Sequence, residues 1–257
     1  MPTPFALSAF ADNYIWTLSA ANGEAVIVDP GESEPVEIAV GQGLKPCAIL
    51  LTHHHNDHIG AAARLAERYA LPVYGPDDTR IHAVTHTVRE GDTITLASGQ
   101  MRFNIIETPG HTLSHIVFVG EGIAFTGDTL FSLGCGRLFE GTPAQMLASL
   151  NRIAALPKDT LICCGHEYTV PNAVFALTAD PDNLALRTRY EQAKALRAEN
   201  HPTLPTTLAS ELACNPFLRC SDSQVAARVS ANFSIEPNDP LAVFTALRRW
   251  KDGFIAP

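Results

Sequence analysis

The sequence predicts a layered α/β domain with sheets at its core, followed by a small all-helical carboxy-terminal domain. Three observations carry this. Short apolar β-runs recur between turn residues up to about residue 165, helical stretches lie between them, and beyond Pro171 the strand texture gives way to helical periodicity. The length of 257 residues suits one large domain or one domain with an appendage. Apolar residues make up 46% and charged residues 18%, with mean hydropathy +0.05. That is enough apolar side chain for a filled core and too little charge for a disordered chain.

In chain order, strands are expected at Tyr14–Ser19, Ala25–Asp29 and Cys47–Thr52, the second closing in the turn Asp29-Pro30-Gly31. Gly60–Ala70 is expected to be helical, because Ala and Leu recur on one side with Arg64, Glu67 and Arg68 on the other. Strands follow at Arg102–Glu107, Ile116–Val119 and Ile123–Thr126, the last running into Thr126-Gly127-Asp128. Thr142-Pro143 opens a helix over Ala144–Leu156, with proline in the first turn, and Thr160–Cys164 is a final strand. Pro181–Asn200 reads as a long helix. His201–Arg219 carries three prolines and reads as irregular. Ser221 and Gln224 form a capping-box pattern opening a helix through Val229, and Asp239-Pro240 opens another through about Lys251. The domain division expected is 1–168 and 169–257.

Charge and cysteine usage exclude several classes. With 18 Lys+Arg against 27 Asp+Glu the formal charge is −9, which disfavours nucleic-acid binding. It also disfavours acidic substrates unless basic residues gather locally. The six cysteines form no CxxC pair, and adjacent Cys163 and Cys164 read as small buried strand residues. The amino terminus shows neither a basic n-region nor an apolar h-region, and no apolar run is long enough to span a bilayer. The expectation is a cytoplasmic monomer acting on a small molecule, without nucleic-acid or membrane partners.

The strongest chemical signal lies among the ten histidines. Thr52-His53-His54-His55-Asn56-Asp57-His58 follows the apolar strand Cys47–Leu51 directly. Imidazole and carboxylate suit Zn²⁺, Fe²⁺ and Mn²⁺. His53 and His55 are two apart, so in extended chain they point the same way, while Asp57 and His58 sit where the chain turns into a helix. The spacing can serve two ions a few Å apart. Further candidates stand at other strand ends: His111 after Thr108-Pro-Gly, Asp128 after Thr126-Gly, and His166 after Cys164-Gly. His54 and Asn56 alternate with these and are expected to face away. His115 is expected to be supporting, His82, His86 and His201 unremarkable surface or packing residues, and Cys135 a small loop residue.

Taken in order, Val26–Asp29, Thr52–His58, Thr108–Thr112, Thr126–Asp128 and Gly165-His166 resemble the metallo-β-lactamase superfamily. The resemblance implies a four-layer αββα sandwich with a dinuclear site along one edge. By motif position it implies His53, His55 and His111 on one ion, Asp57, His58 and His166 on the other, and Asp128 bridging them. Asp29 would orient a ligand from behind. The remaining motifs narrow the resemblance. Asp12-Asn-Tyr-Ile-Trp16, Gly134–Gly141, Gly165–Thr169, Asn215–Arg219 and Arg248-Arg-Trp-Lys-Asp252 together are similar to glyoxalase II, the hydroxyacylglutathione hydrolases. This similarity runs from about residue 5 to 254.

That family implies hydrolysis of an S-(2-hydroxyacyl)glutathione thioester, typically S-D-lactoylglutathione, to D-lactate and glutathione in the second step of methylglyoxal detoxification. It implies two divalent ions, Zn first and Fe or Mn as alternatives, with a hydroxide held between them as the nucleophile. Asp57 would orient that hydroxide as well as ligate, and Asp128 would serve both ions. Arg137, Tyr168, Arg248 and Lys251 are the implied glutathione-binding residues. The chemistry agrees independently, since glutathione carries two carboxylates that cations can meet. Arg248 and Lys251 are three apart on the expected last helix and share a face. Three positions depart from the family pattern: Ser114 for Gly, Phe139 for Tyr and Arg137 for Lys. Phe139 loses a tyrosine hydroxyl contact to glutathione. The alternatives are a persulfide dioxygenase of the same fold, a lactamase or lactonase, and a catalytically silent metal-binding scaffold.

Overall fold

Side chains of the central strands alternate between two buried faces, and this alternation builds four layers in the computed structural model, which describes residues 2–255. The first sheet orders β1 (Pro4–Ala9), β2 (Asn13–Ser19), β3 (Glu24–Val28), β4 (Lys45–Leu50), β5 (Val73–Gly75) and β6 (His86–Thr87) consecutively. The second contains β7 (Thr93–Leu96), β8 (Met101–Glu107), β9 (Ile116–Gly120) and β10 (Ile123–Gly127), flanked by β13 (Leu161–Cys164) and β14 (Thr206–Thr207). A separate hairpin pairs β11 (Leu130–Phe131) with β12 (Gly134–Cys135).

Trp16, Leu18, Val26 and Leu50 of the first sheet meet Phe103, Ile105, Phe118 and Phe125 of the second, forming the central core. The opposite face of the first sheet, with Ile15, Ile27 and Ile49, is covered by α1 (Glu34–Gly41) and α3 (Ala62–Tyr69), which contribute Val36 and Leu65. The outer face of the second sheet carries Val117, Ala124 and Ile162. Met146 and Leu150 of α4 (Pro143–Ala154), Phe175 of α5 (Thr169–Ala179) and Phe244 and Leu247 of α9 (Pro240–Asp252) cover it. This is the expected αββα sandwich with helices carboxy-terminal to it.

Several elements differ from the sequence reading. β1 lacks a clear alternation because it is a half-exposed edge strand. The helix read over residues 60–70 is α3, and a separate short helix not read from the sequence, α2 (Asn56–Ile59), precedes it inside the ligand block. α5 was not legible: buried on nearly every side, it has no polar stripe to mark it. The long helix is α6 (Leu184–Ala198), capped by Asn183. The segment read as irregular holds α7 (Leu208–Cys214), and its Thr206–Thr207 joins the second sheet as β14, so the carboxy-terminal region is not purely helical. The cap of α8 (Ser223–Phe233) is Asp222, which accepts from Gln224 N and Val225 N, in place of Ser221. Asp239 caps α9 as expected.

The carboxy-terminal helices also hold the β11–β12 hairpin. Asn215 donates to the carbonyls of Phe131 and Gly134 at 3.1 and 3.0 Å. The buried Glu211 carboxylate accepts from Ser132 Oγ and Leu133 N at 2.9 and 2.8 Å. The hairpin lines the cleft described below, so these contacts connect helix packing to the site.

Candidate active site

The predicted ligands lie at one edge of the sandwich because β3, β4, β8, β10 and β13 all end there. β3 and β4 run parallel, with Val28 beside Leu50, so Asp29 emerges next to Thr52. β10 and β13 run parallel with Gly127 beside Cys164, so Asp128 emerges next to Gly165 and His166. A crevice outside the carboxyl ends of parallel strands is where α/β folds gather functional groups. Backbone bonds fasten the two sheets together at this edge: Ile116 N donates to Thr52 O at 2.9 Å, and Tyr14 N to Gly165 O at 2.8 Å. Gly165 is required here, since a Cβ would stand 2.6 Å from both Asp128 Oδ1 and His58 Cε1.

Two sets of ligand atoms converge. In the first, His55 Nδ1 lies 3.1 Å from His53 Nε2 and 3.0 Å from His111 Nε2. In the second, the Nε2 atoms of His58 and His166 are 3.3 Å apart, and Asp57 Oδ2 is 3.4 Å from each. Asp128 stands between the sets. Its Oδ1 is 3.3 Å from His58 Nε2, and its Oδ2 is 3.4 Å from both His166 Nε2 and His111 Nε2.

Hydrogen bonds behind the rings fix which nitrogen faces inward. Thr52 Oγ donates its one proton to Asp29 Oδ2 at 2.7 Å, so toward His53 Nδ1, at 3.0 Å, it can only accept. His53 Nε2 is thereby left with its lone pair toward the site. His111 Nδ1 donates to the Arg137 carbonyl at 2.9 Å, with the same result. His58 Nδ1 is 3.0 Å from Asp29 Oδ2, and His166 Nδ1 is 2.8 Å from Asp12 Oδ1. The Nε2 lone pairs of His53 and His111 thus both face the site, and the buried Asp128 Oδ1 has no hydrogen-bond partner among the described residues, which leaves acceptors that a cation can satisfy. Both donor sets fit divalent ions. A third grouping, Asp29 with His53 and His58, is geometrically close. However, both Asp29 oxygens are already engaged by Thr52 N at 2.8 Å, Thr52 Oγ and His58 Nδ1, so Asp29 supports the ligands from behind. Its backbone φ of 53° is one that Asp tolerates in a turn.

The two sets differ electrostatically. Burial and neighbouring histidines push the first set toward the neutral form: His53 well below its usual range, His55 down to about 4, and His111 lowered mainly by burial. In the second set burial is overcome by carboxylates. Asp128, Asp29 and Asp57 raise His58, and Asp128 with Asp57 raises His166 to about 10. Burial opposes ionisation of Asp57 and Asp128, but His58 and His166 hold both below the usual carboxylate range.

The other expected residues also have definite positions. His115 stacks on His53 at 4.8 Å, and its Nε2 accepts from Asp128 N at 3.1 Å, so it supports the site. His54 faces away, 3.5 Å from Asp78 and 3.6 Å from Glu140. A cleft of about 450 Å³ runs from His111 and Asp128 to Arg137, Arg248 and Lys251, with Tyr168 and Phe139 on its walls. Tyr168 stacks on His166 at 4.7 Å, and burial with Asp12 raises its hydroxyl to about 12, so it stays protonated. Burial and the charges of Arg248 and Arg137 lower Lys251 to about 8. Arg248 is only 4% exposed and donates to the Cys135 carbonyl at 2.8 Å and to Asp252 at 2.9 Å. It therefore anchors α9 to β12 as well as facing the cleft. Cys135 is a buried strand residue lining the cleft, contrary to the loop position expected. Sequence reasoning gave no role to Thr52 or to the pair Asp12-Asn13, although the latter opens one of the motifs it singled out.

A paired-sheet sandwich with this His/Asp cluster on its edge defines a protein of the metallo-β-lactamase superfamily, the family matched by residues 14–166. The crystal structure of ETHE1 from Myxococcus xanthus shares the fold, with TM-score 0.65 and 24% identity over 96% of each chain. Residues 167–254 match the hydroxyacylglutathione hydrolase C-terminus. The chain is 54% identical to a hydroxyacylglutathione hydrolase of Xanthomonas campestris pv. campestris over 98% of both chains, and 54% identical to one of Xylella fastidiosa over 96% of both. The chain belongs to the hydroxyacylglutathione hydrolase, or glyoxalase II, family.

Proposed function

We propose that this chain hydrolyses S-(2-hydroxyacyl)glutathione thioesters, S-D-lactoylglutathione foremost, at the joint of its two ligand sets. Hydroxyacylglutathione hydrolase function within the glyoxalase pathway follows from close homology over nearly the whole chain. The observation that carries the site assignment is Asp128, within 3.4 Å of histidines from both sets, at one end of a cleft whose far end gathers three cations. His53, His55 and His111 would hold one divalent ion, Asp57, His58 and His166 the other, and Asp128 would serve both. Zinc suits this donor set first, with iron and manganese also compatible. When bound, two such ions supply the lowered water pKa and the Lewis acidity that thioester hydrolysis needs at neutral pH.

The chain's own residues do the rest. Asp57, ionised and with its side chain 42% exposed, is placed to orient the attacking water by accepting its hydrogen bond. Arg137 and Lys251 meet the glutathione carboxylates, and Arg248 adds charge from behind them while anchoring the wall. The protonated Tyr168 hydroxyl is a donor to the bound tripeptide. The leaving thiolate, with a parent thiol pKa of about 8.5, needs no strong general acid. The division into catalytic residues 1–168 and helical residues 169–257 belongs to the same reading, the second part supplying Arg248 and Lys251. So does a cytoplasmic monomer, in keeping with the charge of −9 and with the lack, among the described residues, of a helix long and apolar enough to cross a membrane.

The test is to count metals in the purified protein and follow thioester absorbance of S-lactoylglutathione with and without chelator, with an oxygen electrode in parallel. Two ions per chain and chelator-sensitive thioester loss without oxygen uptake are expected. Oxygen consumption on glutathione persulfide without thioester loss would overturn the reading.

A further inference from the structure

We propose that Asp12, in the turn between β1 and β2, and Asn13, the first residue of β2, are positioning residues for the second ion and not the first. The inference rests on the two-ion reading above and adds to it two residues that are not ligands. Asp12 Oδ1 accepts from His166 Nδ1 at 2.8 Å, which fixes the inward nitrogen of that ring. Asn13 Nδ2 donates to Asp57 Oδ2 at 2.9 Å. Two adjacent residues thus grip two of the three candidate ligands of one set. The third, His58, is gripped by Asp29.

Among the described residues no hydrogen bond joins Asp12 or Asn13 to the first set. His53 is backed by Thr52, His111 by the Arg137 carbonyl, and His55 leans on the Phe139 ring at 5.6 Å. The two ions would therefore answer to different supports.

The geometry of the turn explains why it can do this. β1 and β2 form the edge of the first sheet, yet the turn between them is fastened by main chain to the loop after β13 in the second. Tyr14 N donates to Gly165 O and Glu167 N to Asp12 O, both at 2.8 Å, with a bridge between Asn13 and His166. The backbone is docked independently of the two side chains, so removing the side chains leaves the dock in place. Asp57 is half-exposed and sits in the short α2. Beyond the ligand histidines, its carboxylate has Asn13 as its one hydrogen-bonded side chain among the described residues, so without Asn13 little restricts its rotamer.

The experiment is zinc titration against a coloured chelator on the full chain, comparing wild type with Asp12→Ala, Asn13→Ala and the double variant. Wild type should show two sites. In each single variant one site should weaken about 10–100-fold while the other keeps its wild-type affinity, as loss of an outer partner typically does. The double variant should retain one ion per chain after dialysis. Asp12→Asn keeps an acceptor for His166 and should recover part of the loss. The thermal midpoint of the metal-free variants should match metal-free wild type, which a merely structural role for the turn would not allow. Equal weakening of both sites, or unchanged affinity in all variants, would overturn the inference. Fewer than two sites in wild type would overturn the two-ion reading and this inference with it.

Discussion

The two ends of the cleft are built on different principles. At the histidine-rich end five of the seven candidate ligands carry a hydrogen bond from a residue outside the two sets, namely Thr52, Asp29, Asp12, Asn13 and the Arg137 carbonyl. At the cationic end, proposed to take glutathione, the side chains are held loosely. The Arg137 side chain is 66% exposed, with Asp252 no nearer than 3.9 Å, and Lys251 forms no ion pair among the described residues. Only Arg248 is locked, and its bonds go to the protein's own backbone and to Asp252. Bond making needs atoms fixed in advance, because reorganisation in the transition state raises the barrier. Gripping a flexible tripeptide by its charged ends tolerates mobile partners. Substitutions at the first end should therefore lower kcat and metal content, and those at the second should raise KM.

The sharpest way to break that division is Asp128→Ala. It should remove binding at both sets and lower kcat by at least about 10²–10³-fold. Retention of two ions and full hydrolysis, by metal analysis and thioester assay, would dissolve the distinction between the ends. Next in size is the pair His55→Ala and His166→Ala. Each should leave about one ion per chain, from opposite sets, with kcat far below wild type. Loss of both ions in either variant would mean that the sets are not separable.

At the other end, Lys251→Ala should raise KM for S-lactoylglutathione roughly tenfold, about 1.4 kcal/mol, with kcat and metal content unchanged. Lys251 also predicts a pH dependence. Its ammonium is protonated below about 8 in the free enzyme and neutral above, so KM should rise as pH passes upward through about 8. Lys251→Arg, charged throughout, should flatten that rise in a KM-versus-pH series. The smallest effect is expected at Phe139, exposed at the cleft wall. Phe139→Tyr should lower KM about 2–5-fold, one added hydrogen bond of about 0.5–1 kcal/mol, without altering kcat.

The candidate site was legible where chemistry and sequence order coincide. Thr52–His58, His111, Asp128 and His166 are conspicuous because each polar block follows an apolar β-run, and a strand end determines where such a block must emerge. The helices were legible where an amphipathic stripe or a cap marks them, as with Asp239-Pro240 before α9. α5 was hidden because it is buried on nearly every side, and α7 because prolines flank it. The supports behind the metals were hidden for another reason. Asp12 and His166 are 154 residues apart, Asn13 and Asp57 are 44, and a single carboxylate or amide has no spacing rule to betray its partner.

The sequence by itself determined the α/β class, the inventory of candidate ligands and the cationic character of the last helix, because these follow from local periodicity and from residue chemistry. The tertiary structure alone decided the rest: how near Asp128 comes to each ligand set, which ring nitrogen each histidine turns inward, and that Arg248 is buried while Lys251 stays half-exposed. Each of these depends on which strand ends lie side by side and which side chain fills the space behind another. Those relations arise only when two sheets pack face to face and bring distant residues within hydrogen-bond reach.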